Sequence, residues 1–192
     1  MDIGKAFKDS FNIYIKNFII ILLAGIVSSL LGFLIAPLVG FQMMFVKAKR
    51  GGVVAFNDVF APFSKFTNLA LGALWISIVI SLCFVPSIVC FYFNWNLVGA
   101  LLIVAAILLV IYLGVSWMFA LLMIYDKGLS IGQGLKASRE LVAKNNFWMH
   151  LVLVILAGIV GGLGNILWGV GAILTMPLGV GAIAAAYVEE TK

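Results

Sequence analysis

Charge is what this sequence has least of. Its 192 residues include 12 Lys and Arg, 7 Asp and Glu and one His, so charged residues make up 10% of the chain; soluble domains carry about 25%. The few charges are also confined: no Lys, Arg, Asp or Glu occurs in 17–46, 66–125 or 145–188. With 65% hydrophobic residues, a soluble fold of this size could not hide its apolar surface.

Other absences remove whole classes of chemistry. Cys83 and Cys90 are the only cysteines. Seven residues apart on one helix, their Cα atoms stand about 10 Å apart, beyond disulfide reach, so both read as small buried hydrophobes. One histidine and two such cysteines do not make the three or four ligands a metal site needs. No Ser-His-Asp set, Walker motif or HExxH is present. No acid or base interrupts the apolar runs, which argues against a proton- or ion-coupled carrier. No basic stretch interleaved with aromatics lies in a soluble segment, which argues against nucleic acid as a partner. Position 2 is Asp and there is no prenylation box, so no lipid anchor is expected. The apolar run after Lys16 is too long for a signal h-region of about 7–15 residues, so the N-terminus is read as retained. No enzyme activity and no cofactor are expected.

The chain has instead several runs long enough for hydrocarbon, where a spanning helix takes about 20 residues. Unalternated apolar runs satisfy their backbone as helices rather than as a barrel. The expectation is an all-α, polytopic membrane protein forming one integral membrane domain over 1–192, in three units: 1–46, 47–125 and 126–192. Residues 1–17 carry Ile3, Phe7, Phe11, Tyr14 and Phe18 on one face with lysines elsewhere, as an in-plane amphipathic helix would; a cytoplasmic extension of the first span is the alternative. The run 18–46 is long for one span and short for two. Gly32, Pro37 and Gly40 favour a short or re-entrant hairpin over a single tilted helix. Residues 47–65 read as a basic exit followed by a stripe of Phe56, Val59, Phe60, Phe63 and Phe66. Residues 66–125 read as a hairpin, kinked near Pro86 and turning at 91–96, with aromatics at the interface.

The loop at 126–146 is the clearest exit and re-entry. Ser130 and Gln133 resemble a capping box. Ile131, Leu135, Ser138 and Val142, with Leu141 alongside, are expected to face lipid, and Lys136, Arg139, Glu140 and Lys144 to face water. Residues 147–188 form two more spans, turning between Gly164 and Gly169 with Trp168 at the interface. Basic residues on both sides of the first hairpin, and in the loops at 47–65 and 126–146, place both termini in the cytoplasm, with about six membrane segments; five spans with the N-terminus outside is the alternative. Two stretches align without gaps, 6–17 and 134–145, matching Lys8, Ser10, Lys16 and Asn17 to Lys136, Ser138, Lys144 and Asn145. LAGIV recurs at 23–27 and 156–160, and Pro37 pairs with Pro177. An internal repeat of basic helix plus hairpin is the reading.

Three stretches, PLVGFQMMFVKAKRGGVVAFNDVF (37–60), 116–148 and MPLGVGAIAAAY (176–187), together resemble the uncharacterised prokaryotic integral membrane proteins akin to the membrane domain found beside glycerophosphodiester phosphodiesterases. The resemblance implies a small multi-helix protein of the prokaryotic inner (cytoplasmic) membrane and brings no established activity. No soluble stretch here is long enough for the phosphodiesterase catalytic domain itself.

Two functional readings follow. In the first, the protein is a non-enzymatic subunit, scaffold or lipid-interacting module, with Lys47, Lys49, Arg50, Lys127, Lys136, Arg139 and Lys144 meeting anionic headgroups or a partner. In the second it is an oligomeric channel or small-solute transporter, lined by scattered hydroxyl and amide groups including Ser28, Ser77 and Thr175. Small-residue pairs at Gly25/Ser29, Ala157/Gly161 and Gly158/Gly162 mark a helix-packing seam, used within one chain or with another copy or membrane partner. His150 is expected at the interface, near a headgroup, and Asp126 as an exit marker.

Overall fold

The computed structural model describes residues 1–167 and 171–191. The described residues form helices and connecting turns only. Four stretches, Phe56–Tyr92, Asn96–Asp126, Phe147–Asn165 and Ala172–Glu190, are long and apolar enough to cross a membrane, with a bent pair near the N-terminus as a fifth candidate. The protein is all-α and polytopic.

The first unit begins with α1 (Ile3–Lys16), capped by Asp2, whose carboxylate accepts the Lys5 N–H at 3.0 Å. At Asn17 the chain bends by 102° into α2 (Phe18–Leu30). A short 3-10 turn, Gly32–Leu34, leads back into α3 (Ala36–Lys49), with Pro37 in its first turn. The run 18–46 is therefore two helices and not one. Ser28 donates to the Pro37 carbonyl at 3.0 Å and Gly25 faces the Phe41 ring, so the arms lie antiparallel. Each arm, 13 or 14 residues long, reaches about 20 Å, short of a hydrocarbon core of about 30 Å. The reversal lies at 31–35; Gly40 does not break α3 but lets it close on the Val59 carbonyl.

The second unit enters through a 3-10 stretch, Phe56–Lys65. Its phenylalanines form a ladder, Phe56 to Phe60 to Phe63 to Phe66, with successive centroids 5.9, 6.3 and 5.9 Å apart. Next come α4 (Phe66–Leu82) and α5 (Val85–Tyr92), offset by a turn before Pro86. Asn94 takes positive φ and the chain returns as α6 (Asn96–Ser116). A break at 117–119 separates α6 from α7 (Ala120–Asp126).

The third unit begins with α8 (Ile131–Lys144), where Ser130 and Gln133 form the expected capping box. It continues through α9 (Phe147–Gly162), a 3-10 turn at Leu163–Leu167, and α10 (Ala172–Glu190). The Trp168 and Gly169 placements fall outside the described residues. Helix α10 is the hub: half of its most apolar window is buried, against 6% for Phe56–Tyr92. Its small face makes this possible. Gly179 sits against the Ala157 carbonyl of α9, and Gly181 against Ser10 of α1 and the Phe45 ring of α3. Without a solvent-driven hydrophobic effect between helices in lipid, such close backbone approach is a main source of cohesion.

Two faces differ from the sequence expectation. On α1 the buried row is Ala6, Ser10 and Tyr14, while Phe11 is 53% exposed. On α8, Gly134, Leu135, Ser138 and Val142 are buried against the bundle rather than turned to lipid. Gly134 packs on Ile124, and Ser138 donates to the Ser116 carbonyl at 2.8 Å while accepting the Phe119 N–H at 3.2 Å. Ser138 thereby satisfies the backbone at the break between α6 and α7, which would otherwise be left unpaired. The two helices are both 14 residues long, 128 positions apart, and Ala6, Ser10 and Tyr14 fall on Gly134, Ser138 and Val142 at that spacing.

Candidate functional site

The charged groups gather where the three hairpins end. Arg50 caps α3, Asp126 ends α7 and Tyr187 lies in the last turn of α10. The Arg50 guanidinium donates to both Asp126 oxygens, Nη1 to Oδ1 at 2.8 Å and Nη2 to Oδ2 at 2.7 Å. The Tyr187 hydroxyl donates to the same Oδ2 at 2.8 Å. This forked geometry matches a planar guanidinium to a carboxylate, and the hydrogen bonds that Arg50 donates to Asp126 raise its pKa above an already high ordinary value. Asp126 therefore does more than mark an exit: it joins the ends of α3, α7 and α10.

Further pairs surround this junction. Lys47 meets Asp58 at 2.8 and 2.9 Å, and Asp58 also accepts the Ala55 N–H at 2.8 Å, fixing the start of the phenylalanine ladder. Lys49, only 10% exposed, pairs with Asp9 at 2.8 Å and so ties α3 to α1. Lys65 donates to the Tyr125 carbonyl at 2.9 Å with its ammonium 5.5 Å from the ring centroid. Lys5 reaches Glu189 at 3.5 Å. Met43, Lys47, Arg50, Asp58, Ala61 and Tyr125 border a cavity of about 320 Å³.

His150 does not reach out to headgroups as expected. It is fully buried, with Nε2 2.8 Å from Glu190 Oε2 and Nδ1 3.0 Å from the Asn146 carbonyl, and it packs edge-on to Phe119. The pair clamps the open ends of the antiparallel α9 and α10.

The seven cations expected to meet headgroups fall into two groups. Lys47, Lys49 and Arg50 are engaged with Asp58, Asp9 and Asp126. Lys127, Lys136, Arg139 and Lys144 are all exposed on and beside α8. Six of the seven acidic residues face a cation or the imidazole, and of these only Glu140 stands on the outer side of α8, 3.9 Å from Lys136. That pair is highly exposed on both sides and contributes little. The outer side of α8 thus carries three cations against one carboxylate, with Lys127 exposed in the loop before it.

The small-residue seam also divides. Gly25 packs on Phe41, Ser29 approaches the Met176 sulfur at 3.7 Å, Ala157 meets Gly179, and Gly161 lies against Met176. Gly158 is exposed, with open space where a Cβ would stand, and Gly162 faces the Asn165 amide. The hydroxyls within the apolar runs serve the backbone: Ser28, Ser77 and Thr175 donate to the carbonyls of Pro37, Ala73 and Gly161. Among the described residues no group of three His, Cys, Asp or Glu could hold a metal.

Sequence reading took Asp58 as a possible N-cap and Tyr187 and Glu190 as marks of the last exit, but found no partner for them or for Asp9, nor the role of Ser138. The scarcity of carboxylates was the available signal, since seven acids in a charge-poor membrane chain are each expected to have a partner. Comparison with protein-family models, with curated proteins and with solved structures finds no match to this chain.

Proposed function

We propose that this protein is a non-enzymatic, multi-pass module of a prokaryotic cytoplasmic membrane that gathers anionic phospholipid through the outer face of α8. One observation carries the reading. Ion pairing engages Lys47, Lys49 and Arg50, whereas Lys136, Arg139 and Lys144 stay exposed on α8 with Glu140 as the one carboxylate among them, and Lys127 is exposed in the loop before it. A basic face of this kind next to a membrane attracts anionic headgroups by about 1 kcal/mol per cation. Its apolar side is held by the bundle, so the helix presents its charges without having to bury itself in lipid.

The same reading places the junction of Arg50, Asp126 and Tyr187 on the cytoplasmic side, because basic residues flank the first two hairpins on both sides and precede the third. It treats α1–α3 and α8–α10 as duplicated units, supported by the equal lengths of α1 and α8, their shared buried row and the paired prolines of α3 and α10. It also keeps the resemblance to the membrane domains found beside glycerophosphodiester phosphodiesterases as a proposal of kinship. The engagement of the intramembrane hydroxyls with backbone carbonyls favours a scaffold over a polar pore.

The test is native mass spectrometry of the protein released from nanodiscs containing phosphatidylglycerol and phosphatidylcholine. Replacing Lys136, Arg139 and Lys144 together by Ala is expected to lower phosphatidylglycerol retention roughly a hundredfold, at about 1 kcal/mol per charge. Unchanged retention in that variant would overturn the reading.

A further inference from the structure

Between α4 and α8 the surface opens into a groove of about 470 Å³. Leu71, Leu74, Trp75 and Ile78 of α4 line one wall, and Gly132 and Leu135 of α8 the other. The α4 wall extends about 10 Å along the helix axis and belongs to a stretch apolar enough to cross a membrane, so the groove opens onto hydrocarbon. Trp75 is 54% exposed within it.

Gly132 is the informative position. It is helical, its φ is not in the left-handed region, and a Cβ there would meet no heavy atom within 4 Å. Neither backbone geometry nor close packing calls for glycine at this first-turn position. Its bare Cα keeps the mouth of the groove open. One helical turn beyond Gly132 and Leu135, two of the three α8 residues that line the groove with Ile131, stand Lys136 and Arg139, both exposed. An apolar channel along a spanning helix with two cations at its head is complementary to one molecule in particular: a lipid with an anionic headgroup.

We propose that this groove holds an acyl chain of an anionic phospholipid whose phosphate lies against Lys136 and Arg139. The proposal rests on the lipid-binding reading of α8 and narrows it to one place and one orientation.

Trp75 is a built-in reporter. The full chain is placed in phosphatidylcholine nanodiscs in which brominated acyl chains are carried either by phosphatidylglycerol or by phosphatidylcholine, at equal mole fraction. The Trp75 contribution is isolated by difference from Trp75→Phe. Brominated phosphatidylglycerol is expected to occupy the groove with an advantage on the order of tenfold from two cations. Lys136→Ala with Arg139→Ala should remove that advantage. Gly132→Leu, which grows into open space and keeps the helix, should reduce Trp75 quenching by phosphatidylglycerol to the phosphatidylcholine level while melting like the parent. Equal quenching by the two lipids in the parent protein overturns the groove. So does undiminished phosphatidylglycerol quenching in Gly132→Leu. If the triple α8 variant loses phosphatidylglycerol in native mass spectrometry but Trp75 shows no headgroup preference, the basic face stands and the groove falls. Protection of Trp75 from both lipids, together with a dimer mass, gives the groove to a second copy and overturns the proposal.

Discussion

Arg50 and Asp126, 76 residues apart in sequence, meet in a forked ion pair at the point where two hairpins end, and Tyr187 of the third hairpin donates to the same carboxylate. Asp126 is the shared acceptor and its side chain is 13% exposed, whereas that of Arg50 is 43% exposed. The two residues therefore differ in what their removal leaves behind. Asp126→Ala strands both a guanidinium and a phenol, and should cost about 2 kcal/mol, between the values for surface and buried pairs. Arg50→Ala lets water reach the carboxylate, which keeps its Tyr187 bond, and should cost about 1 kcal/mol or less. Thermal melting in detergent should rank wild type above Arg50→Ala above Asp126→Ala. The opposite order would show that the junction is not organised by the carboxylate.

The glycines divide by what a methyl group would meet. At Gly40 an added Cβ collides with the Val59 carbonyl, and at Gly179 with the Ala157 carbonyl. Backbone cannot swing aside as a flexible side chain can, so Gly40→Ala and Gly179→Ala should each cost about 1–3 kcal/mol through overpacking. Gly158→Ala, with open space around it, should leave the melting temperature unchanged or slightly raised. A melting series over the three variants checks this, and loss of stability in Gly158→Ala alone would point to a contact made outside the chain.

Ser10 and Ser138 occupy matching places on α1 and α8, yet they carry different numbers of hydrogen bonds. Ser10 donates once, to the Leu178 carbonyl at 2.9 Å. Ser138 donates to Ser116 and accepts from Phe119 across the break that separates α6 from α7. Ser138→Ala leaves two buried backbone groups without a partner and should cost about 2 kcal/mol, against about 1 kcal/mol for Ser10→Ala. Hydrogen exchange should also quicken at Phe119 in the first variant and not in the second.

The hairpins, the separation of α1 from α2 and the capped start of α8 were legible because their signals are local: a charge-free run, an amphipathic stretch ending where that run begins, a proline at a turn, a serine three residues before a glutamine. The faces were not. On α1 the aromatic stripe and the row of Ala6, Ser10 and Tyr14 are both apolar enough for lipid or protein, and hydropathy does not distinguish those two surroundings. What decides is size, because the row that lets α10 approach is the one the bundle takes. The same holds for Leu135 and Val142, read as lipid-facing and found inside. Nor did sequence reveal that Lys47, Lys49 and Arg50 were already engaged, since their partners come from three different segments and no spacing links them. The motif LAGIV shows the limit well. Its first glycine, Gly25, packs on Phe41, while the equivalent Gly158 lies open, so one pentapeptide serves two different surfaces.

His150 and Glu190 form the most deeply buried polar contact of the charged end, with side chains 0% and 3% exposed. The Asn146 carbonyl can only accept, so the 3.0 Å contact at Nδ1 requires a proton on that nitrogen. A single proton then lies between Nε2 and Glu190 Oε2, 2.8 Å apart. Glutamine at position 190 has an amide N–H that can donate to Nε2 in the same place, so Glu190→Gln should preserve the contact and melt close to wild type. Alanine supplies no partner, and Glu190→Ala should cost about 1–3 kcal/mol for the stranded ring nitrogen. His150→Ala should be worse, because it strands the carboxylate and also empties the space beside Phe119, 5.8 Å from the ring centroid. Melting curves in detergent test the order Glu190→Gln, Glu190→Ala, His150→Ala. If Gln were as damaging as Ala, the clamp between α9 and α10 would depend on charge at position 190 rather than on a shared proton.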